Sequence, residues 1–241
     1  MKRSAVIGVL GTSGGVGASA LAAALAVRAG RAGMDVVAVD LSPFGGGLDV
    51  TLGAEQEAGV RWADLVALAG AADGSAIVAR LPALDGVPVL SFGRDAAVVP
   101  EVDVALQVVT ALAASGRVVI LDMTVEGPYG AAVLALATQL VVVAGSEPRQ
   151  LAALAVAGRW LQSRCDHVAV CLRGGRRVHE IAPLVESAMG LPVIGLLTED
   201  RHLRADLVHG VAPGSSGRGV LAAVADQCLA HALIRDRAGA A

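Results

Sequence analysis

Lysine is almost missing from this chain. Lys2 is the only one in 241 residues, and every other basic side chain is arginine or histidine. Aromatic residues are nearly as scarce, at 2%, so the core has to be built from alanine, valine and leucine. Charged residues amount to 17% against 55% hydrophobic, a balance that excludes intrinsic disorder. A net charge of −3 and a pI near 5.9 give no general electrostatic footprint for nucleic acid. Local basic pairs such as Arg176-Arg177 read as solvated surface, and no specific nucleic-acid partner is expected.

Cysteine is also sparse. Cys165, Cys171 and Cys228 form no CxxC pair, which excludes the usual zinc and redox motifs. They read as small buried apolar residues of a reducing cytoplasm. The five histidines are scattered; His202 and His209 fall on one helical face but lack further metal ligands. Met1-Lys2-Arg3-Ser4 runs straight into a strand pattern, without the apolar stretch and cleavage site of a signal peptide. The uncharged run from Gly127 to Ser146 is interrupted by Thr138-Gln139. Its first half is Ala/Leu-rich and its second half is β-branched, which fits a buried helix followed by a buried strand rather than a membrane span.

What the chain does have is a regular alternation of short apolar runs and helical patterns. The expected strands are Ala5–Leu10, Asp35–Asp40, Val87–Ser91, Arg117–Asp122, Leu140–Ala144, His167–Leu172 and Pro192–Leu196. The expected helices are Ala18–Ala29, Arg61–Leu68, Glu101–Ala114, Gly130–Thr138, Glu147–Gln162, Val178–Met189 and Gly219–Ile234. Near-continuous Val/Ile/Leu strands are covered on both faces. Strand and helix in alternation imply right-handed crossovers. The expectation is one α/β domain over residues 1–241: a doubly wound, mostly parallel sheet with helices on both faces. In such sheets ligands bind at the carboxyl ends of the strands.

The first strand ends in Gly11-Thr12-Ser13-Gly14-Gly15-Val16-Gly17-Ala18-Ser19, and a helix begins at once. Glycines let the backbone turn tightly and aim several N–H groups at one point, and the helix adds its positive N-terminal end. That combination is an anion cradle for a polyphosphate. Gly14, Gly15, Val16, Gly17 and Ala18 are the candidate cradle residues, and Ser19 is placed to put its hydroxyl on magnesium. A plain Gly-rich turn without a ligand is the competing reading.

The segment resembles the deviant Walker A loop of the MinD/ParA family, Gly-Lys-Gly-Gly-Val-Gly-Lys-Thr/Ser. Gly14, Gly15, Val16, Gly17 and Ser19 match that pattern; Thr12, Ser13 and Ala18 depart from it. Ser13 stands where the family carries a lysine that reaches across a dimer. Ala18 stands where it carries the lysine that holds the β- and γ-phosphates. Lys2 lies on the far side of the first strand, roughly 20 Å away at about 3.3 Å per residue, and cannot serve its own loop. A charge-assisted hydrogen bond contributes about 1.5–3 kcal/mol, so losing one weakens binding roughly ten- to a hundred-fold. Hydrolysis depends more steeply on preplaced positive charge, since an arginine finger alone is worth about 10³–10⁵ in rate. The expectation is ATP or ADP bound with Mg²⁺ at modest affinity, and slow or absent hydrolysis.

The remaining candidates sit at other strand ends. Asp40 closes the second strand and fits the family's Walker A′ or switch I position, so the resemblance makes it a catalytic and metal-site candidate; a turn cap is the alternative. Ser42 stands where an acid is common in the family. Asp122 ends Val118-Val119-Ile120-Leu121 in the form of a Walker B and is a magnesium candidate. Arg173 follows a later strand where many relatives place an adenine-reading asparagine. It suits stacking on a base, pairing with a phosphate, or a solvated loop position. Glu199 and Asp200 follow the last strand and are candidates for the rim of the nucleotide site; helix capping explains Asp200 equally well.

The stretch from Asp40 to Asp49, with Gly59-Val60-Arg61-Trp62-Ala63-Asp64-Leu65 after it, resembles the actinobacterial CpaE/TadZ-like branch, also called septum-site-determining proteins. An alanine in the place of Ala18 is usual there. Relatives often carry an additional N-terminal receiver-like domain, and none is expected in residues 1–241. The resemblance implies a nucleotide-dependent spatial regulator acting in Tad-type pilus or secretion assembly, or in septum placement. Its partners would be a second copy of the chain and pilus, secretion or cell-division proteins, and its location the cytoplasm, at a pole or septum. An ATPase rescued by an arginine or a partner, and a pseudo-ATPase working only through protein contacts, are the alternatives. Membrane contact is expected to be peripheral at most. The last helix has only Arg235 and Arg237 near its end, offset by Asp226 and Asp236, which suits packing on the sheet.

Overall fold

The computed structural model of the protein describes residues 5–66, 73–94, 98–200 and 203–238, with side chains described up to residue 234. In chain order the elements are β1 (Val6–Gly11), α1 (Ala18–Arg31), β2 (Val36–Asp40), α2 (Leu48–Leu52), α3 (Trp62–Val66), α4 (Gly74–Val78), β3 (Ala83–Leu84), β4 (Val87–Leu90), α5 (Val102–Ala114), β5 (Val118–Met123), α6 (Gly130–Leu134), β6 (Gln139–Gly145), α7 (Pro148–Gln162), β7 (Val168–Arg173), α8 (Val178–Met189), β8 (Val193–Leu197), α9 (Leu203–Val208) and α10 (Val220–Ala238). The strands form one sheet in the order β3-β4-β2-β5-β1-β6-β7-β8. Every described pairing is parallel except the β3–β4 hairpin. The fold is therefore the doubly wound α/β class expected from the alternation of elements.

Strands β2, β5 and β6 are buried along their whole length, and the side chains of the inner strands alternate between two cores. Ile7 and Val9 point to one face, where they meet Leu21 and Leu25 of α1 and Val224 and Cys228 of α10. Val6 and Leu10 point to the other, with Trp62, Leu112, Tyr129 and Leu154. Helix α1 is mostly alanine on its buried side, including Ala22, Ala23, Ala26 and Ala29, so it lies close to the sheet without needing aromatic bulk. Helix α10 lays Leu221, Val224, Ala225 and Cys228 into the same core, and Asp226 pairs with Arg28 of α1 at 2.8 Å. All three cysteines are buried, with the sulfurs of Cys171 and Cys228 3.5 Å apart.

The structure departs from the sequence reading in several places. The helix expected over Gly130–Thr138 stops at Leu134, because Thr138 belongs to the edge of β1. Its N–H donates to the Val6 carbonyl at 2.8 Å, and its hydroxyl accepts from the Val6 N–H at 3.1 Å. The last helix runs past Ile234 to Ala238. Four features carried no expectation: α2, α4, α9 and the β3–β4 hairpin. The hairpin turns on Asp85 (φ 50°) and Gly86 (φ 77°), both left-handed, as a two-residue turn between right-twisted strands requires. Lys2, Leu68 and His202 lie outside the described residues, as do the side chains of Arg235 and Arg237. Among the described residues no helix is long and apolar enough to cross a membrane.

Candidate functional site

Strand β1 lies in the middle of the sheet between β5 and β6, and the loop that follows it is fixed from both sides. The Thr12 N–H donates to the Val143 carbonyl of β6 at 3.0 Å. The Val16 side chain is buried beneath Gly11 and anchors the loop in the core. Gly15 (φ 74°) and Gly17 (φ 97°) adopt left-handed backbone, which turns the chain sharply into α1. Gly17 is the N-cap of α1 and no side chain caps the helix, so its first amides have no acceptor from that source. The Thr12 hydroxyl is buried without a hydrogen-bond partner.

Asp122 sits on β5 between Val9 of β1 and Asp40 of β2. It is 4% exposed, and the Ser19 hydroxyl donates to its carboxylate. Burial, and then the charge of Asp40, push the Asp122 carboxyl up to about 7; the Ser19 hydrogen bond pulls the other way. Uncapped helix amides, an unpartnered hydroxyl, and a carboxylate short of positive charge are the groups that a magnesium-bound polyphosphate would satisfy. The residues present fit such a ligand.

A cleft of about 1190 Å³ opens over this loop. Residues Gly11 to Ala20 form its floor, with Ser42, Thr51 and the segment from Asp122 to Glu126 on one side. Ala152, Ala153, Val156, Ala157 and Trp160 of α7, with Leu207 of α9, supply an apolar wall. Of the residues singled out in the sequence, Gly14, Gly15, Val16, Gly17, Ala18, Ser19 and Asp122 line this cleft; Asp40, Arg173, Glu199 and Asp200 do not. Glu126 and the wall of α7 had no sequence signal, since nothing local marks a helix face as turned toward a loop from another strand.

Asp40 is occupied elsewhere. Its Oδ1 accepts from the Ser42 N–H at 2.9 Å, and its Oδ2 from the Leu48 N–H at 2.9 Å and the Ser91 hydroxyl at 2.8 Å. Burial raises its pKa from the ordinary value, while those hydrogen bonds oppose the rise. Ser91 also lies 3.1 Å from Asp49, which is wholly buried and accepts two hydrogen bonds from Arg94 at 2.9 and 3.1 Å. Arg61 stands 3.7 Å from the same carboxylate. Burial would raise the Asp49 pKa, but the Arg94 hydrogen bonds and charge win and hold it below the ordinary range. Trp62 completes the brace, its ring N–H donating to the Asp40 carbonyl at 2.7 Å. Thus Arg61 and Trp62, within the Gly59–Leu65 stretch, hold the loop after β2 from behind.

The other two strand ends differ from one another. The Arg173 guanidinium donates to the Gly15 carbonyl of the loop after β1 at 2.9 Å, from a side chain exposed to solvent. Glu199 is exposed, and Asp200 faces Gly219 just ahead of α10. Neither acid is among the residues that line the cleft over the loop.

Solved structures share this arrangement of strands and helices. A ParA family ATPase from Chlorobium tepidum superposes with a TM-score of 0.80 at 19% identity, covering 95% of this chain and 99% of that one. The septum site-determining protein MinD from Pyrococcus horikoshii, complexed with Mg-ADP, gives 0.77 at 17% identity, covering 94% of each chain. The fold is that of the MinD/ParA P-loop ATPases. Two proteins of Mycobacterium tuberculosis, the uncharacterized proteins MT3760 and Rv3660c, are each 32% identical to it over 216 residues. The match covers 86% of this MinD/ParA-like chain and 58% of each of those proteins, so the chain spans less than two thirds of the curated relatives' length. No protein-family model matches the chain.

Proposed function

We propose that the chain is a nucleotide-binding spatial regulator of the MinD/ParA kind, which holds ATP or ADP with Mg²⁺ and hydrolyses ATP slowly or not at all. The observation that carries this reading is the Ser19–Asp122 pair beneath the uncapped N-terminus of α1. The MinD structure in complex with Mg-ADP shares this fold. Backbone amides of Gly14 to Ser19 would hold phosphate oxygens, and the Ser19 hydroxyl and Asp122 carboxylate would hold the metal ion. Magnesium, when bound, supplies the positive charge that offsets the phosphates.

Weak hydrolysis follows from two features. Neither Ser13 nor Ala18 can deliver a cation to the phosphates. Asp40, the candidate for orienting water, has both oxygens engaged by its own loop and by Ser91. We assign Asp40 to positioning the loop after β2, and Glu199 and Asp200 to roles outside the phosphate site. The CpaE/TadZ-like resemblance of residues 40–65 supports a place in pilus or secretion assembly or in septum placement, with a second copy of the chain as partner.

The test is turnover of ATP with magnesium, followed alongside sedimentation of the protein with and without nucleotide. The expected result is a nucleotide-dependent change in sedimentation with turnover far below that of lysine-bearing MinD/ParA ATPases. Turnover at their ordinary rate, unaided, would contradict it.

A further inference from the structure

A phosphate loop stripped of lysine still needs positive charge to hold a polyphosphate in place, and the sheet register shows where one is available. Gly11 at the end of β1 is level with Val143 of β6, and Gly145 of β6 is level with Arg173 of β7. Arg173 therefore stands two residues higher than the end of β1, which is the level of the phosphate loop. Two strand spacings separate β7 from β1, roughly 10 Å, a gap an extended arginine side chain spans most of the way. It arrives at the loop. Its Nη1 donates to the Gly15 carbonyl at 2.9 Å and would lie 3.3 Å from a Cβ placed on Gly17.

The charge of Arg173 is not spent on a carboxylate. Arg28 pairs with Asp226, Arg61 and Arg94 with Asp49, and Arg177 with Glu180. Among the described residues, no acid lies within ion-pair distance of Arg173. Its one hydrogen-bond partner in the side chain's reach is a neutral carbonyl, and guanidinium keeps four further N–H donors in a planar fork suited to phosphate. An uncompensated cation held against an anion cradle that lacks its own cations has one evident use.

Resting on the nucleotide-binding reading above, we propose that Arg173 supplies from β7 the phosphate-binding charge that Ser13 and Ala18 have lost. Its contact is with the polyphosphate rather than with the base.

Two probes separate the possibilities: Mg-ATP and Mg-tripolyphosphate, which has no base. The expected result is that the intact chain binds both and that Arg173→Ala weakens both roughly ten- to a hundred-fold. Arg173→Lys, which keeps the charge, should retain most of the affinity. Adding Ala18→Lys to Arg173→Ala should restore it, and thermal unfolding of Arg173→Ala should match that of the intact chain, which a merely structural role for Arg173 would not allow. If Arg173→Ala loses ATP but keeps tripolyphosphate, the residue reads the base and the proposal falls. If the variant binds both probes as the intact chain does, the proposal falls while the nucleotide-binding reading stands. If the intact chain binds neither probe, both fall together.

Discussion

The loop after β1 carries no charged side chain from Thr12 to Ser19, whereas the loop after β2 is built around two buried carboxylates and two arginines. Both leave the same edge of the sheet, and Ser42 of the second lines the cleft above the first. In the first loop the polar groups are uncommitted: amides without a cap, a hydroxyl without a partner, Asp122 short of positive charge. In the second, Asp40, Asp49, Ser91 and Arg94 are joined by hydrogen bonds, with Arg61 adding its charge 3.7 Å from Asp49. Open polar groups are a place for a ligand; closed ones fix a backbone. The charges of Arg61 and Arg94 at this edge have gone into holding the second loop.

The largest effect should come from breaking the closed network. Asp49→Ala leaves Arg61 and Arg94 facing an empty buried site, and denaturant unfolding should show a loss of about 3–5 kcal/mol. The matching change in the open loop, Ser13→Ala, should cost less than about 0.5 kcal/mol, since Ser13 is exposed and makes no structural contact of that kind. Equal losses in the two variants would erase the contrast between the loops.

Asp40→Asn sharpens it further. One acceptor oxygen becomes a donor beside the Leu48 and Ser42 amides and the Ser91 hydroxyl, costing about 1–3 kcal/mol in thermal or chemical unfolding. Mg-ATP affinity of the folded variant should stay within about threefold of the parent if Asp40 serves the loop alone. A collapse of affinity with stability intact would return Asp40 to the nucleotide site.

A smaller effect concerns pH. Asp122 titrates near 7 in the folded chain against an ordinary 3.8, so the folded state holds the extra proton between those values. That contribution to stability is complete below about pH 4 and is lost as pH rises through 7. In EDTA the melting temperature should therefore fall from pH 6 to pH 8, and Asp122→Asn should flatten that slope. Asp49 has the opposite sign: its lowered pKa gives stability that is present at neutral pH and lost only in acid. A melting temperature that rises from pH 6 to 8 would contradict the account of Asp122.

What could be read from sequence follows the same division. The glycine-rich loop, Ser19 and Asp122, which line one cleft, were legible as candidates because their signals are local: glycine spacing, a strand before, a helix after. The closed network was not. Ser91 ends up beside Asp40 because β4 runs next to β2, with Val39 level with Leu90, a fact of sheet order that no short window contains. An acid at a strand end looks the same whether it orients water or caps a loop, and only its partners decide. The hairpin at Asp85-Gly86 was a missed local signal, since Asp-Gly between apolar residues favours a two-residue turn. The helix reading past Leu134 failed for a long-range reason, the hold of β1 on Thr138.

Calorimetric titration of Mg-ATP into the parent chain and into Ala18→Lys tests the central claim most directly. The account predicts that the parent binds through its backbone cradle, Ser19 and Asp122, and that restoring the lysine tightens binding roughly ten- to a hundred-fold. Absence of binding in both proteins would contradict it.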